Sequence, residues 1–240
     1  MDRPADHSPT EQDIKTWYDK RYADRGKDSM RTFDAYPVFL DDLRVQPGRS
    51  LLDIACGTGY LLLAGAQRGL KTAGIDISEE AVRLARQVSP TSEVSAGKGE
   101  DLKFPDATFD YVTCIGSLEH FLDMEKGLME MKRVTRSDAL LCILVPNSNF
   151  LYWKVSKQRG TEQQDINEHL MSFHEWRDFF RRNGLEVVRT RQDRWPMRKI
   201  KPFATANPLK VLRGLVFKLV WSLLPMHYAY QFVFVLRKKP

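Results

Sequence analysis

A chain of 240 residues with 42% hydrophobic content has enough apolar material for a full core and reads as one domain with additions, or a domain and a small cap. Its three cysteines, Cys56, Cys114 and Cys142, lack metal-ligand spacing, and an odd count at buried positions points to reduced thiols in the cytoplasm. The net charge of +6 is uneven. From Val187 to Pro240 there are 12 Lys and Arg against one acid, Asp193, and 25 bases against 30 acids before it. A basic tail on an acidic body suggests an anionic partner surface, with a solvated basic face as the plainer explanation.

In chain order, the polar start MDRPADHSPTEQD carries no apolar signal segment. Helices are predicted over 12–23 and 34–44. Strands near 51–54, 72–75, 93–96, 109–114 and 139–145 alternate with helices near 60–67, 79–88 and 123–134. That alternation specifies an α/β, doubly wound, Rossmann-like parallel sheet with its ligand at the strands' C-terminal ends. Ser172 to Glu175 is an S-x-x-E capping box opening a helix over 173–183. Gly184 ends it, a sixth strand covers 185–190, and YQFVFVL at 230–236 is the last strand. No repeats or low-complexity tracts interrupt the chain.

The most informative stretch is LLDIACGTG, Leu51 to Gly59. A buried strand breaks into a glycine-rich turn, a helix follows, and a second strand ends in Asp76. Such a βαβ unit lets backbone approach a ligand and offers an acid to ribose hydroxyls. A dinucleotide fingerprint needs a third glycine where this chain has Leu62, so that ligand fails. Asp53 at the first strand's end would repel a pyrophosphate and welcome a cation. An ammonium, a sulfonium and a ribose fit better, which is S-adenosylmethionine. Taken singly, the turn could be a tight βα connection, and Asp76 a helix N-cap, a job for which Ser78 is an equal candidate.

LLDIACGTG, GIDIS and GEDLKFPDATFDYVTCIGSLEHF in this order resemble the class I S-adenosylmethionine-dependent methyltransferases, and most of all the branch that includes the ubiquinone and menaquinone enzymes. The resemblance covers roughly 45–146 strongly and 168–190 weakly. It implies a seven-stranded sheet, six strands parallel and the last antiparallel beside the sixth. It implies that Asp53 orients the ligand's amino group, that Ala55, Cys56, Gly57 and Gly59 line its methionine portion, and that Asp76 holds the ribose diol. Ile77 would pack on the adenine, Gly99, Glu100, Asp101 and Leu102 would border its polar edge, and Ile115 would close the other side. An aromatic of the first helix, Trp17, Tyr18 or Tyr22, would cover the methionine end. The chain departs from the family in having Ala55 where glycine is frequent. It also has Lys98 where an Asp often reaches the adenine amino group, which leaves that contact to backbone, Glu100 or Asp101.

The implied organisation is an N-terminal helical cover (1–45), a cofactor-binding core (46–146), a lid insertion (147–171) and a C-terminal part completing the sheet (172–240). A general base, where the nucleophile needs one, would be His120, which would also border the cofactor, or His169 in the lid; His174 is a further alternative. A structural hydrogen-bonding role is the ordinary one for each. No carboxylate cluster suggests a metal. Within the long link before the last strand, PLKVLRGLVFKLVWSLLP reads as a helix over 209–224 with a wide apolar face, Lys210, Arg213 and Lys218 on the other half, and Trp221 near the border. Such a helix lies on an anionic membrane as a peripheral element or packs on protein, its own body or a dimer partner; it is too short to span a bilayer. Monomer and homodimer both stay open. The expected reaction is methylation of an oxygen or nitrogen on a small or lipid-linked acceptor at the inner face of a membrane. A soluble metabolite or natural product is the alternative acceptor, followed by an RNA or a non-catalytic binding role. Nucleic acid is disfavoured because Ile115 to Leu118 does not resemble the D/N-P-P-Y/F motif of base amino-methylation.

Overall fold

The computed structural model describes residues 9–156, 166–195 and 207–239. Seven strands form one sheet: β1 (Ser50–Ile54), β2 (Lys71–Asp76), β3 (Glu93–Ala96), β4 (Phe109–Ile115), β5 (Thr135–Pro146), β6 (Leu185–Gln192) and β7 (Gln231–Lys238). Their order is β3-β2-β1-β4-β5-β7-β6. The pairs from β3 to β5 are parallel, and β7 lies antiparallel between β5 and β6. The expected sheet of six parallel strands and one antiparallel strand is present, with β7 beside the sixth strand as expected.

Around it stand α1 (Glu11–Arg25), α2 (Pro37–Leu43), α3 (Tyr60–Gln67), α4 (Glu79–Val88), α5 (Met124–Val134), α6 (Leu151–Ser156), α7 (Phe173–Arg182) and α8 (Pro208–Leu223). The second helix starts later than expected because Pro37 occupies its first turn, where proline's fixed φ and missing N–H cost nothing. β5 starts earlier than its apolar run, since Thr135 pairs with Phe109 across a register shift. Ser172 and Glu175 form the expected capping box, and Thr10 with Asp13 forms another at α1.

The inner strands are apolar on both faces, as a covered parallel sheet requires. Leu52, Val112, Ile143 and Phe234 pack with Trp176 and Phe180 on one side. Leu51, Tyr111, Leu144 and Val233 pack with Phe39, Leu40 and Leu61 on the other. Adjacent leucines thus serve opposite layers, as the two-residue strand period dictates. All three cysteines are buried and free. Trp176 is fully buried, and its indole N–H donates to the Pro146 carbonyl at 2.8 Å, where β5 exits into the lid. Trp176→Phe keeps most of the ring but strands that buried carbonyl, and should destabilise the fold by about 1–3 kcal/mol. Urea unfolding followed by circular dichroism would measure it; an unchanged midpoint would mean the bond contributes nothing.

Candidate functional site

The strands of the parallel half end at one edge, and the turns that leave β1, β2 and β4 build the site there. Ala55 and Gly57 both take left-handed backbone, with φ of 55° and 52°. This region strains a residue bearing Cβ by about 1–2 kcal/mol, a physical reason for glycine to be frequent where Ala55 stands. At Gly57 a Cβ would lie 2.9 Å from the Tyr22 hydroxyl oxygen. Asp76 holds this turn closed: it accepts from the Gly57 amide at 2.8 Å and from the Ser78 amide at 2.9 Å. The helix cap itself is Ser78, which accepts from the Ala81 amide. Gly59 instead sits against α4, where a Cβ would meet Ala85 at 3.0 Å; its smallness serves helix packing.

These turns open onto a cavity of about 480 Å³, within the range of small-molecule sites. Its axis follows the strand order: Asp76 over β2, Asp53 over β1, Ile115 and Gly116 over β4, and Gln231 at the start of β7. Four strand spacings separate Asp76 from Gln231, about 19 Å. Tyr18, Arg21 and Tyr22 of α1 cover the near end; Arg31, Tyr36, Trp195 and Tyr230 wall the far end. Gly97, Gly99 and Glu100 border the cavity beyond β2.

Three buried acids face this space. Burial pushes Asp53 up to about 7, although the Thr113 hydroxyl donates to it at 2.6 Å and pulls the other way. Burial likewise raises Asp76 to about 6 against its backbone hydrogen bonds, and Glu119 to about 8. Glu119 Oε2 is buried with no hydrogen-bond partner among the described residues. Desolvation is the common cause; Arg31 partly offsets it at Glu119, but no cation does so at Asp53 or Asp76, so that end of the cavity favours a positively charged ligand. At the far end Arg31 is fixed by the Gln231 side chain at 2.7 Å and by an ion pair with buried Asp193 at 2.9 Å, and its guanidinium lies over Trp195. Its Nη1 is buried with no hydrogen-bond partner among the described residues.

Of the expected residues, the structure brings Tyr18, Asp53, Ala55, Cys56, Gly57, Asp76, Ile77, Gly99, Glu100, Ile115 and His120 together around the cavity. Trp17 lies outside the lining, stacked under Arg21. Asp101 is exposed and paired with Lys103, and Leu102 is a core residue. Lys98 borders the cavity but spends its charge on Glu11. His169 is exposed outside the lining; its amide donates to the Glu119 carbonyl. Of the lid insertion, residues 157–165 lie outside the described residues. Sequence reasoning missed Arg31, Tyr36, Glu119 and Tyr230. Glu119 had a signal, its place beside His120 in SLEHF, whereas Arg31 lies in a connection without a motif. Among the described residues no group of three His, Cys, Asp or Glu side chains could hold a metal ion.

A sheet of this order, with a glycine-rich turn after β1 and an acid ending β2, has the fold of the class I S-adenosylmethionine-dependent methyltransferases. Residues 52–143 match the methyltransferase domain family. It is 38% identical over 116 residues to ajmaline N-methyltransferase of Rauvolfia serpentina, covering 45% of this chain and 40% of that protein. It is 32% identical over 162 residues to a ubiquinone biosynthesis O-methyltransferase of Hahella chejuensis, covering 61% of this chain and 63% of that protein. The chain thus spans about half the length of the curated relatives it matches. The solved structure of the [4+2]-cyclase SpnF shares the fold with a TM-score of 0.69 at 17% identity, covering 97% of this chain and 98% of the other. The cofactor of the class is S-adenosylmethionine, and the residues present fit it: buried acids for its cationic groups and diol, and a glycine turn that admits backbone contact.

The raised acids give cofactor binding a pH signature. Asp53 and Asp76 must be ionised to accept from an ammonium and a diol, so binding should release protons and tighten as pH rises from about 5 to 8, by up to about tenfold per unit for each proton released. Their folded values lie above the unfolded value near 4, so the ligand-free fold loses stability as pH rises through the same window, and the cofactor restores it. Asp76→Ala should weaken binding by about 2–4 kcal/mol, because it removes the diol acceptor and frees the Gly57 amide. Calorimetry across a pH series would read both effects; affinity unchanged by pH and by the substitution would remove Asp76 from the site.

Proposed function

We propose that this chain transfers a methyl group from S-adenosylmethionine to an oxygen or nitrogen of an amphipathic, lipid-linked acceptor at an anionic membrane surface. The observation that carries this reading is one pairing: an acid-lined cavity suited to a cation, and a basic helix, α8, whose large apolar side chains are exposed. Residues 1–45 would cover the methionine end, 46–146 hold the cofactor, 147–171 form the lid, and 172–240 complete the sheet and carry α8.

The bound cofactor supplies a methyl already activated on a sulfonium. The protein's work is to align the nucleophile and exclude water. Tyr18, Tyr22 and Tyr36 close the cavity as neutral phenols, since burial drives all three well above the usual range. His120, 4% exposed, is the proposed base. Its Nδ1 lies 3.2 Å from the Ile166 carbonyl. A carbonyl only accepts, so Nδ1 bears the hydrogen, and in the neutral ring Nε2 carries the lone pair that can take a proton. Glu119 Oε1 stands 3.9 Å from that nitrogen. His120→Ala should lower kcat by about 10²–10⁴ with cofactor affinity intact. Single-turnover methyl transfer on lipid-linked and quinone-type acceptors would test it; near-normal turnover would return His120 to a structural role and leave His169 as the next candidate.

No helix among the described residues is long and apolar enough to cross a membrane, so α8 would lie in the interface. Val211, Gly214, Lys218 and Trp221 form its half-buried inner stripe, while Lys210 and Arg213 are exposed. Each exposed base would add about 1 kcal/mol on an anionic bilayer, on top of apolar insertion, and salt should weaken that share. Vesicle flotation should recover the protein with phosphatidylglycerol-containing vesicles at low salt, and Phe217→Ser with Trp221→Ser should release it. A wild type that ignores such vesicles would make α8 a packing element. The acceptor would then be a soluble small molecule under the 147–169 lid.

A further inference from the structure

α8 leaves its apolar side chains unusually bare. Leu209, Leu212, Leu219 and Leu223 are 58% to 75% exposed. A helix of this length normally buries such a stripe. It carries Lys210, Arg213 and Lys218, and no acid occurs anywhere after Asp193. This combination complements an anionic lipid surface.

Beneath the helix runs a chain of aromatic rings that reaches the cavity. Phe217 contacts Trp221 with centroids 5.5 Å apart, Trp221 meets Phe150 at 5.6 Å, and Phe150 meets Tyr230 at 5.0 Å. Trp153, 7% exposed, packs on both Phe150 and Tyr230. Tyr230 is itself a wall of the cavity. The chain therefore runs from the exposed face of α8, through the root of the lid, to the far end of the site. Along it, Trp221 Nε1 is buried with no hydrogen-bond partner among the described residues. An indole N–H in such surroundings ordinarily has an acceptor.

We propose that this ring chain seats the hydrocarbon tail of a single-chain amphiphile drawn from an anionic membrane, holding its polar end at the cavity wall beside Tyr230. The proposal rests on the lipid-linked acceptor reading above and assigns the residues that would hold the tail. Trp221 and Trp153 lie on the path, at its outer and inner ends.

The test uses a lysophosphatidylglycerol with a chain-brominated acyl group, added below its micellar concentration to the full chain. Bromine quenches indole fluorescence only at near contact. Saturable quenching is expected, with at least half of it lost in Trp221→Phe and a further part lost in Trp153→Phe. Absent quenching, or quenching equal in wild type and Trp221→Phe, would overturn the seat. So would loss of quenching only on dilution of a dimer, followed by sedimentation, because α8 would then serve a second copy. Cofactor calorimetry on the same samples separates the two claims. A seat that binds the probe in a protein that does not bind S-adenosylmethionine keeps the tail site and removes the methyltransferase reading. Cofactor binding without quenching does the reverse.

Discussion

The site depends on one electrostatic constraint: carboxyl groups buried at a strand edge without a cation in contact. Asp53 and Asp76 end adjacent strands, paired in register through Ile54 with Ile75. Desolvation is the main cause that raises both, and charge repulsion adds to it, from Asp76 at Asp53 and from Asp19 at Asp76. Such groups lower stability on their own. Their cost is offset where a ligand brings positive charge and hydrogen-bond donors, which couples folding of this edge to occupancy. Asp76 also accepts from the Gly57 amide, so the residue that would receive the ribose also shapes the turn that would receive the methionine.

The cover over this edge is fastened at separate strands. Asp19 of α1 accepts from the Ser78 hydroxyl at 2.7 Å, Thr58 donates to the Lys27 carbonyl at 2.8 Å, and the Tyr60 hydroxyl donates to Asp28 at 2.8 Å. Arg31 reaches across to Gln231 on β7. A buried ion pair such as Arg31 with Asp193 is poor evidence of net stability but fixes geometry well. The opposite wall is fastened likewise. Asn167 donates to the carbonyls of His120 and Phe121, which ties the lid's return to the turn that holds the proposed base.

How much of this was legible depended on how local the cause was. β1, β2 and β4 were readable because burial on both faces writes continuous apolar runs, and the turn after β1 because its glycines meet a backbone demand the local sequence states. Ser78 and Ser172 declared their helices by the same local logic. Arg31 was not readable: its partners Asp193 and Gln231 are contributed by the far end of the chain. Glu119 was passed over because an acid normally faces water, and its burial comes from tertiary packing that no local pattern states. The inner stripe of α8 also escaped prediction. Helical periodicity separates faces, but which face meets the body is decided by Trp221 docking on Phe150.

On the proposed function, cofactor recognition and acceptor choice would therefore sit on different parts of the chain. The ends of β1, β2 and β4 carry the acids and glycines. The segments after β5 and β6 carry the lid, Trp195 and α8, joined to the cavity through Tyr230. A fold shared with a [4+2]-cyclase shows that the sheet alone does not fix the chemistry, which rests on the groups of the site. Here those groups are a cation fixed by Asp193, a buried acid beside an imidazole, and a wall of aromatic rings leading outward. On the proposed function, that wall would receive an acceptor with a polar end to be methylated and a long apolar remainder to be kept from water.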